Sequence, residues 1–95
     1  MIAQADTTLL FTDIEGSTRI LAQVGEATYG EVLELHHELI RSAISQHSGQ
    51  ELGTEGDSFF VMFAAAAEGV GAAVDAQRAL AGARWPADVV VRVRM

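Results

Sequence analysis

One stretch constrains this chain more than any other: an apolar run that closes on an acidic residue, a glycine and two hydroxyl residues. Leu9-Leu10-Phe11-Thr12-Asp13-Ile14-Glu15-Gly16-Ser17-Thr18 reads as a buried strand, a turn and the opening of a helix. The order puts a carboxylate at the tip of the strand and the free N–H groups of a helix start beside it. A carboxylate can hold a divalent cation, and a helix N-terminus attracts phosphate oxygens. The turn therefore carries the elements of a metal and nucleotide site.

The remaining pattern alternates between two periods. Thr7 to Thr12 is the expected first strand, bounded by the polar Gln4-Ala5-Asp6 and by Gly16. Ser17 or Thr18 can N-cap a short helix, Arg19 to Val24, that stops at Gly25. A longer helix is expected from Glu26 to His47, with Tyr29, Val32, Leu33, Leu39, Ile40, Ala43 and Ile44 on its apolar stripe. Glu38 and Arg41 are spaced to pair weakly on its outer side, and Gly49 suits its C-terminus. Gln50 to Thr54 and Ser58 to Phe63 form a hairpin across Glu55-Gly56-Asp57. Ala64 to Ala81 is a third helical segment, with Val70, Val74 and Leu80 as its heavier apolar residues. After the Trp85-Pro86 turn, Val89 to Arg94 starts another strand.

Strand, helix, helix, strand, strand, helix, strand is the order of an α+β fold, with helices on one face of a largely antiparallel sheet. The last strand runs into Met95 with no turn after it, which predicts a domain truncated at its C-terminus. Residues 1–95 are read as the N-terminal part of one domain. The size and the 49% hydrophobic content suit a single compact unit.

Composition removes several classes of function. A net charge of −7 argues against a nucleic-acid surface, which needs clustered basic residues. Nucleotide binding survives that charge if a metal ion bridges the acidic site and the phosphates. All six basic residues are arginine, so no mechanism that needs a lysine from this stretch is available. The chain has no cysteine, which rules out thiolate metal sites and fits a reducing, cytoplasmic setting. The first residues lack the pattern of a signal peptide, and the longest uncharged apolar stretch, Phe59 to Ala67, is too short to span a membrane.

Asp13 and Asp57 are the residues that could carry chemistry. If their strands are neighbours, both carboxylates reach one point at the sheet edge and could share a pair of divalent cations, an arrangement suited to displacement at phosphorus. Taken singly, each is also what a turn needs. His36 and His37 point about 100° apart on a helix and are read as structural or solvated. His47 is expected to meet terminal carbonyls. Glu15 and Glu55 read as exposed loop residues, and Phe59, Phe60 and Phe63 as core and sheet-face residues.

The pair of strings FTDIEGSTRI (11–20) and TEGDSFFVMF (54–63), whose aspartates lie 44 residues apart, resembles the first half of a class III nucleotidyl cyclase catalytic domain, the adenylate/guanylate cyclase family. The helix YGEVLELHHELIRSAISQHSG between them and the terminal VRVRM fit the same resemblance, which covers the whole chain. It implies a ferredoxin-like, palm-type antiparallel sheet and cyclisation of a nucleoside triphosphate, ATP ahead of GTP, to a 3′,5′-cyclic nucleotide and pyrophosphate. Two Mg²⁺ or Mn²⁺ ions would be held by Asp13, Asp57 and the Ile14 carbonyl. Gly16, Ser17 and Thr18 would lie under the triphosphate, and a homodimer would complete the active site.

This chain departs from the resemblance in two places. Many adenylyl cyclases of the family carry a base-selecting lysine four residues before the second aspartate, where guanylyl cyclases tend to carry glutamate. Gly53 stands there and has no side chain to read a purine. The family's transition-state asparagine and arginine come after the last strand, so this stretch alone is expected to be inactive. Both departures also suit a degenerate, non-catalytic cyclase-like module that binds a nucleotide or a partner domain. A haloacid-dehalogenase-type phosphatase would need a second aspartate where Glu15 stands, and a later lysine. A diguanylate-cyclase-like domain would carry Gly-Gly-Asp-Glu-Phe where this chain has Glu55-Gly56-Asp57-Ser58-Phe59.

Overall fold

The structure, a computed structural model, describes residues 7–95; the polar Gln4-Ala5-Asp6 boundary lies outside the described residues. Strand β1 (Thr8–Ile14) leads into helix α1 (Ser17–Gln46). A hairpin of β2 (Gln50–Glu55) and β3 (Ser58–Phe63) follows, then helix α2 (Ala66–Gly82), a 3₁₀ turn at Pro86–Asp88 and the short β4 (Val93–Arg94). The sheet order is β2-β3-β1-β4 with every neighbouring pair antiparallel. This is the α+β arrangement that the order of segments predicts.

Period-2 alternation decides which face of the sheet is covered. Thr12 and Ile14 of β1, with Phe59, Val61 and Phe63 of β3, are buried. They pack with Val32, Ile40, Ala43 and Ile44 of α1 and with Ala72, Ala76 and Leu80 of α2. Leu9 and Phe11 point the other way and are 50% and 61% exposed. Helices therefore cover one face and leave the other open.

Several local expectations are corrected. β1 runs on through Asp13 to Ile14, because both residues pair with β4. Asp13 thus sits inside the strand, not beyond its end. The cap of α1 is Gly16 in the left-handed conformation, φ 66°, with no side-chain cap; Ser17 is already helical. The expected break at Gly25 is present as a kink, φ 85° and ψ 169°.

At the other end of α1, Ser48 takes the left-handed turn, φ 57°. Gly49 is required there for close approach: a Cβ would come within 2.6 Å of the Phe63 ring and 2.7 Å of Ile44. In α2 the buried positions are Gly69, Ala72, Ala76 and Leu80, while Val70 and Val74 are exposed. The small residues win the inner face because α2 lies close to the sheet; a Cβ at Gly69 would meet Thr8 Cγ2 at 2.8 Å. The expected strand from Val89 shrinks to two paired residues. β1 ends opposite Val93 and turns at Gly16, so Val89 to Val91 have no partner strand. Val89, Val91 and Val93 are nevertheless all buried.

Long-range polar contacts also differ from the local ones expected. Arg41 pairs not with Glu38 but with Glu51 of β2, Nε to Oε1 at 3.0 Å and Nη2 to Oε2 at 3.1 Å. Thr54 donates to the same carboxylate. His47 reaches across to α2, with Nε2 2.6 Å from Asp75 and Nδ1 3.6 Å from Glu68. The room for its ring comes from Gly71, where a Cβ would lie 2.6 Å from it.

His36 occupies the centre of the buried α1 stripe, between Val32 and Ile40, and is 0% exposed. Its Nδ1 lies 3.1 Å from His37 Nδ1, and its Nε2 has no hydrogen-bond partner. Burial, and then His37, push its pKa down to about 4, with Asp57 opposing. A second proton on this ring would place a charge in the core and leave one of its two N–H groups, at Nε2, with no acceptor.

Two predictions follow from this packing. Gly49→Ala should lower stability by about 1–3 kcal/mol in urea denaturation, because its methyl must displace the buried Phe63 ring. The unfolded chain binds a proton at His36 near pH 6.5 and the folded chain only near pH 4. The stabilising effect of a neutral His36 is complete above pH 6.5 and is lost as pH falls towards 4, by about 3 kcal/mol in total. His36→Leu should flatten that slope in denaturation curves taken at pH 4.5 and pH 7; an unchanged slope would assign it to other groups.

Candidate metal and nucleotide site

The antiparallel register of β1 with β3 pairs Thr12 with Phe59. Continued by two residues, it places Asp57, at the hairpin tip, opposite Ile14. The Ile14 N–H donates to Asp57 Oδ2 at 2.9 Å. A carboxylate from the hairpin thus replaces a backbone carbonyl as acceptor at the end of the ladder. It lies against the peptide that joins Asp13 to Ile14, at one end of the sheet.

Asp13 and Asp57 are held differently. Asp13 faces the open side of the sheet, in the same alternation as Phe11, and Arg94 of β4 donates from Nε to its Oδ1 at 3.1 Å. Asp57 is also within electrostatic reach of α1. Burial raises the Tyr29 phenol above its usual pKa, and the Asp57 charge adds to that while a hydrogen bond with Ser17 opposes it.

Gly16, Ser17 and Thr18 follow directly. The Gly16 carbonyl accepts from the N–H groups of Arg19 and Ile20, at 3.0 and 3.1 Å. With no side-chain cap at Gly16 and no acidic residue in the first turn, the dipole at the start of α1 is uncompensated locally. Arg19 folds back over the turn; a Cβ at Gly16 would lie 2.6 Å from its guanidinium. Arg19 also lines a cleft of about 350 Å³ with Glu15, Gly16, Gln23, Asp88 and Arg92.

Gly53 is not part of this cluster. It lies in β2 opposite Phe60, and Phe60 in turn pairs with Phe11. The two rings stack at 4.4 Å between centroids and 10° between planes. Gly53, Phe60 and Phe11 therefore form one row across the open face, and a Cβ at Gly53 would meet nothing within 4 Å. On the covered face, Phe59 is enclosed by His36, His37 and the Arg41 guanidinium, the last 5.3 Å from its ring centre. Glu15 and Glu55 are exposed, as expected.

The donor set suits a hard cation. Carboxylates and a backbone carbonyl are oxygen ligands of the kind Mg²⁺ takes, and Mg²⁺ is commonly held by one or two carboxylates plus substrate phosphates. Among the described residues there is no group of three or more His, Cys, Asp or Glu side chains able to hold a metal. A complete protein cage, as a structural zinc site needs, is not built here. Among the described residues, no helix is long and apolar enough to cross a membrane.

Sequence reasoning missed the Arg94 contact with Asp13. The two residues are 81 positions apart, and only the strand register brings them together. It also missed the enclosure of Phe59, although the apolar stripe of α1 passes through His36.

Residues 2–81 match the adenylate and guanylate cyclase catalytic domain family. A receptor-type adenylate cyclase of Trypanosoma congolense is 38% identical over 78 residues, 82% of this chain and 10% of that protein. Solved adenylate cyclases from Trypanosoma brucei in their monomeric state share the fold with a TM-score of 0.79 at 34% identity, over 83% of this chain and 34% of theirs. The monomeric guanylyl cyclase domain of the RhoGC fusion protein from Blastocladiella emersonii gives a TM-score of 0.83 at 16% identity, over 93% of this chain and 56% of that one. At that identity the likeness concerns the fold alone. The chain thus spans about half of one solved cyclase domain and a tenth of the Trypanosoma congolense relative. The phosphatase and diguanylate-cyclase readings fall away, and the chain belongs to the adenylate and guanylate cyclase catalytic domain family.

Proposed function

We propose that this chain supplies the metal and phosphate half of a nucleotidyl cyclase active site. The reaction would join the ribose 3′-oxygen to the α-phosphorus of a nucleoside triphosphate and release pyrophosphate. The observation that carries the reading is the Asp57 carboxylate seated on the Ile14 N–H, next to Asp13. Divalent ions bound there would lower the pKa of the 3′-hydroxyl and neutralise charge on the triphosphate.

The chain's own residues would divide the work. Asp13 and Asp57 would be the carboxylate ligands, with the Ile14 carbonyl as a third oxygen. The uncapped turn at Gly16, Ser17 and Thr18 would receive phosphate oxygens on backbone N–H groups. Rigid seating of the hairpin, through Phe59 and the Arg41–Glu51 pair, would hold Asp57 in place before substrate arrives. None of the 95 residues is asparagine, so the transition-state asparagine expected from the family must come from outside this stretch. The 95-residue chain alone should form no cyclic nucleotide. A homodimer of the longer protein is part of this reading, as is a cytoplasmic setting.

ATP is the preferred substrate in this reading, because the relatives at 33% identity and above are adenylate cyclases. Base discrimination should nevertheless be shallow. Gly53 offers no donor or acceptor, and a missing hydrogen bond weakens recognition by roughly 0.5–1.5 kcal/mol. Gly53 also has open space for a longer side chain. The second reading, a degenerate module that binds nucleotide without turnover, is favoured by the same glycine.

Steady-state assays of the longer protein with Mg²⁺ or Mn²⁺ test these readings. Asp57→Asn should lower turnover by on the order of a hundredfold or more. The folded structure should persist, since the asparagine carbonyl can still accept from Ile14. Gly53→Lys should raise ATP turnover relative to GTP, and Gly53→Glu should do the reverse. Nucleotide binding without product in the unmodified protein would select the degenerate module. Wild-type discrimination beyond about a hundredfold would place base reading at another residue.

A further inference from the structure

We propose that Arg94 is a built-in competitor of the divalent ion for Asp13: it neutralises the carboxylate before metal arrives and gives it up when metal binds. The inference rests on the metal-dependent reading above. Its basis is the register of β1 with β4, which sets Arg94 directly opposite Asp13, with Nε 3.1 Å from Oδ1. The pair lines a cleft of about 290 Å³ on the open face with Phe11, Thr12 and Met95.

The two carboxylates differ in what holds them. Asp57 is bonded through Oδ2 to a neutral N–H, which orients it without cancelling its charge. Asp13 is bonded to a full positive charge, which lowers the negative potential that draws a dication. The pair is also exposed, 66% at Arg94 and 45% at Asp13, so it holds only weakly. That is enough to keep an unliganded carboxylate in place, and too little to exclude a doubly charged ion. Once displaced, the guanidinium remains in the cleft as a cation facing the site.

Titration of Mn²⁺ into the 95-residue chain at low ionic strength, with free ion followed by electron paramagnetic resonance, reads this directly without turnover. Arg94→Gln should bind Mn²⁺ roughly two- to fivefold more tightly than wild type, and Arg94→Lys should stay within about twofold of it. The gain should shrink in about 0.5 M salt, where exposed charges are screened. A merely structural role for Arg94 would give weaker binding in both variants. Equal or weaker binding by Arg94→Gln, with Asp13→Asn and Asp57→Asn still weakening the site, overturns the competitor role and leaves the metal reading intact. Mn²⁺ binding that neither aspartate variant changes overturns both.

Discussion

The antiparallel pairing of β1 with β3, closed by the Asp57 carboxylate on the Ile14 N–H, is the constraint on which the rest of the molecule depends. Strand side chains alternate, so a single choice of register sends Thr12 and Ile14 into the core and Asp13 to the open face. A slip of one residue would bury Asp13 and expose Ile14, at a cost the fold could not recover. The hydrophobic pattern of β1 and β3 therefore fixes the position of the acidic residues. The carboxylate at the end of the ladder also satisfies a backbone donor that the hairpin turn would otherwise leave unpaired.

The covered face is arranged to keep that hairpin still. Phe59 and Asp57 are two residues apart, and the Phe59 ring is 1% exposed between two imidazoles and a guanidinium. Arg41 then continues to Glu51 on β2, so one side chain ties α1 to both strands of the hairpin. The exposed ion pair adds little stability by itself. Its geometric effect is larger, because it holds the guanidinium over the ring. His36 completes the enclosure as a neutral, buried ring. Its low pKa comes from this packing, with His37 adding to the effect of burial.

Much of the fold was legible because the strong periodic signals were local. The break at Gly25, the hairpin across Gly56 and the two helices all follow from residues within a few positions of each other. The failures came where distance in sequence mattered. Val70 and Val74 look like core residues by size, but α2 approaches the sheet too closely for them, and Gly69, Ala72 and Ala76 take the inner face instead. His47 carries no local mark of Asp75 or Glu68, one helix away. Gly71 is the one hint: a glycine inside a helix calls for a packing reason, and the His47 ring supplies it. In the candidate site, the two aspartates could be named from their strings. Their different surroundings depend on β4, which arrives 80 residues after Asp13 as Val93 pairs with Ile14.

A half-built acidic site in a chain of net charge −7 raises the question of how it would accept a polyanion. Within the proposed reading, the answer lies in the small number of ligands. Two carboxylates and a carbonyl leave half the positions of an octahedral ion free for water and phosphate. A third protein carboxylate would hold the ion more firmly, but it would add a negative charge where the triphosphate must lie. The uncapped start of α1 and Arg19 over Gly16 are positive features near the carboxylates, in addition to Arg94 beside Asp13. Carboxylates on β1 and the hairpin tip and free N–H groups on the helix thus separate the two charges by one turn of chain. The Gly16 turn, with its left-handed φ, is what lets the backbone pass from one to the other so abruptly.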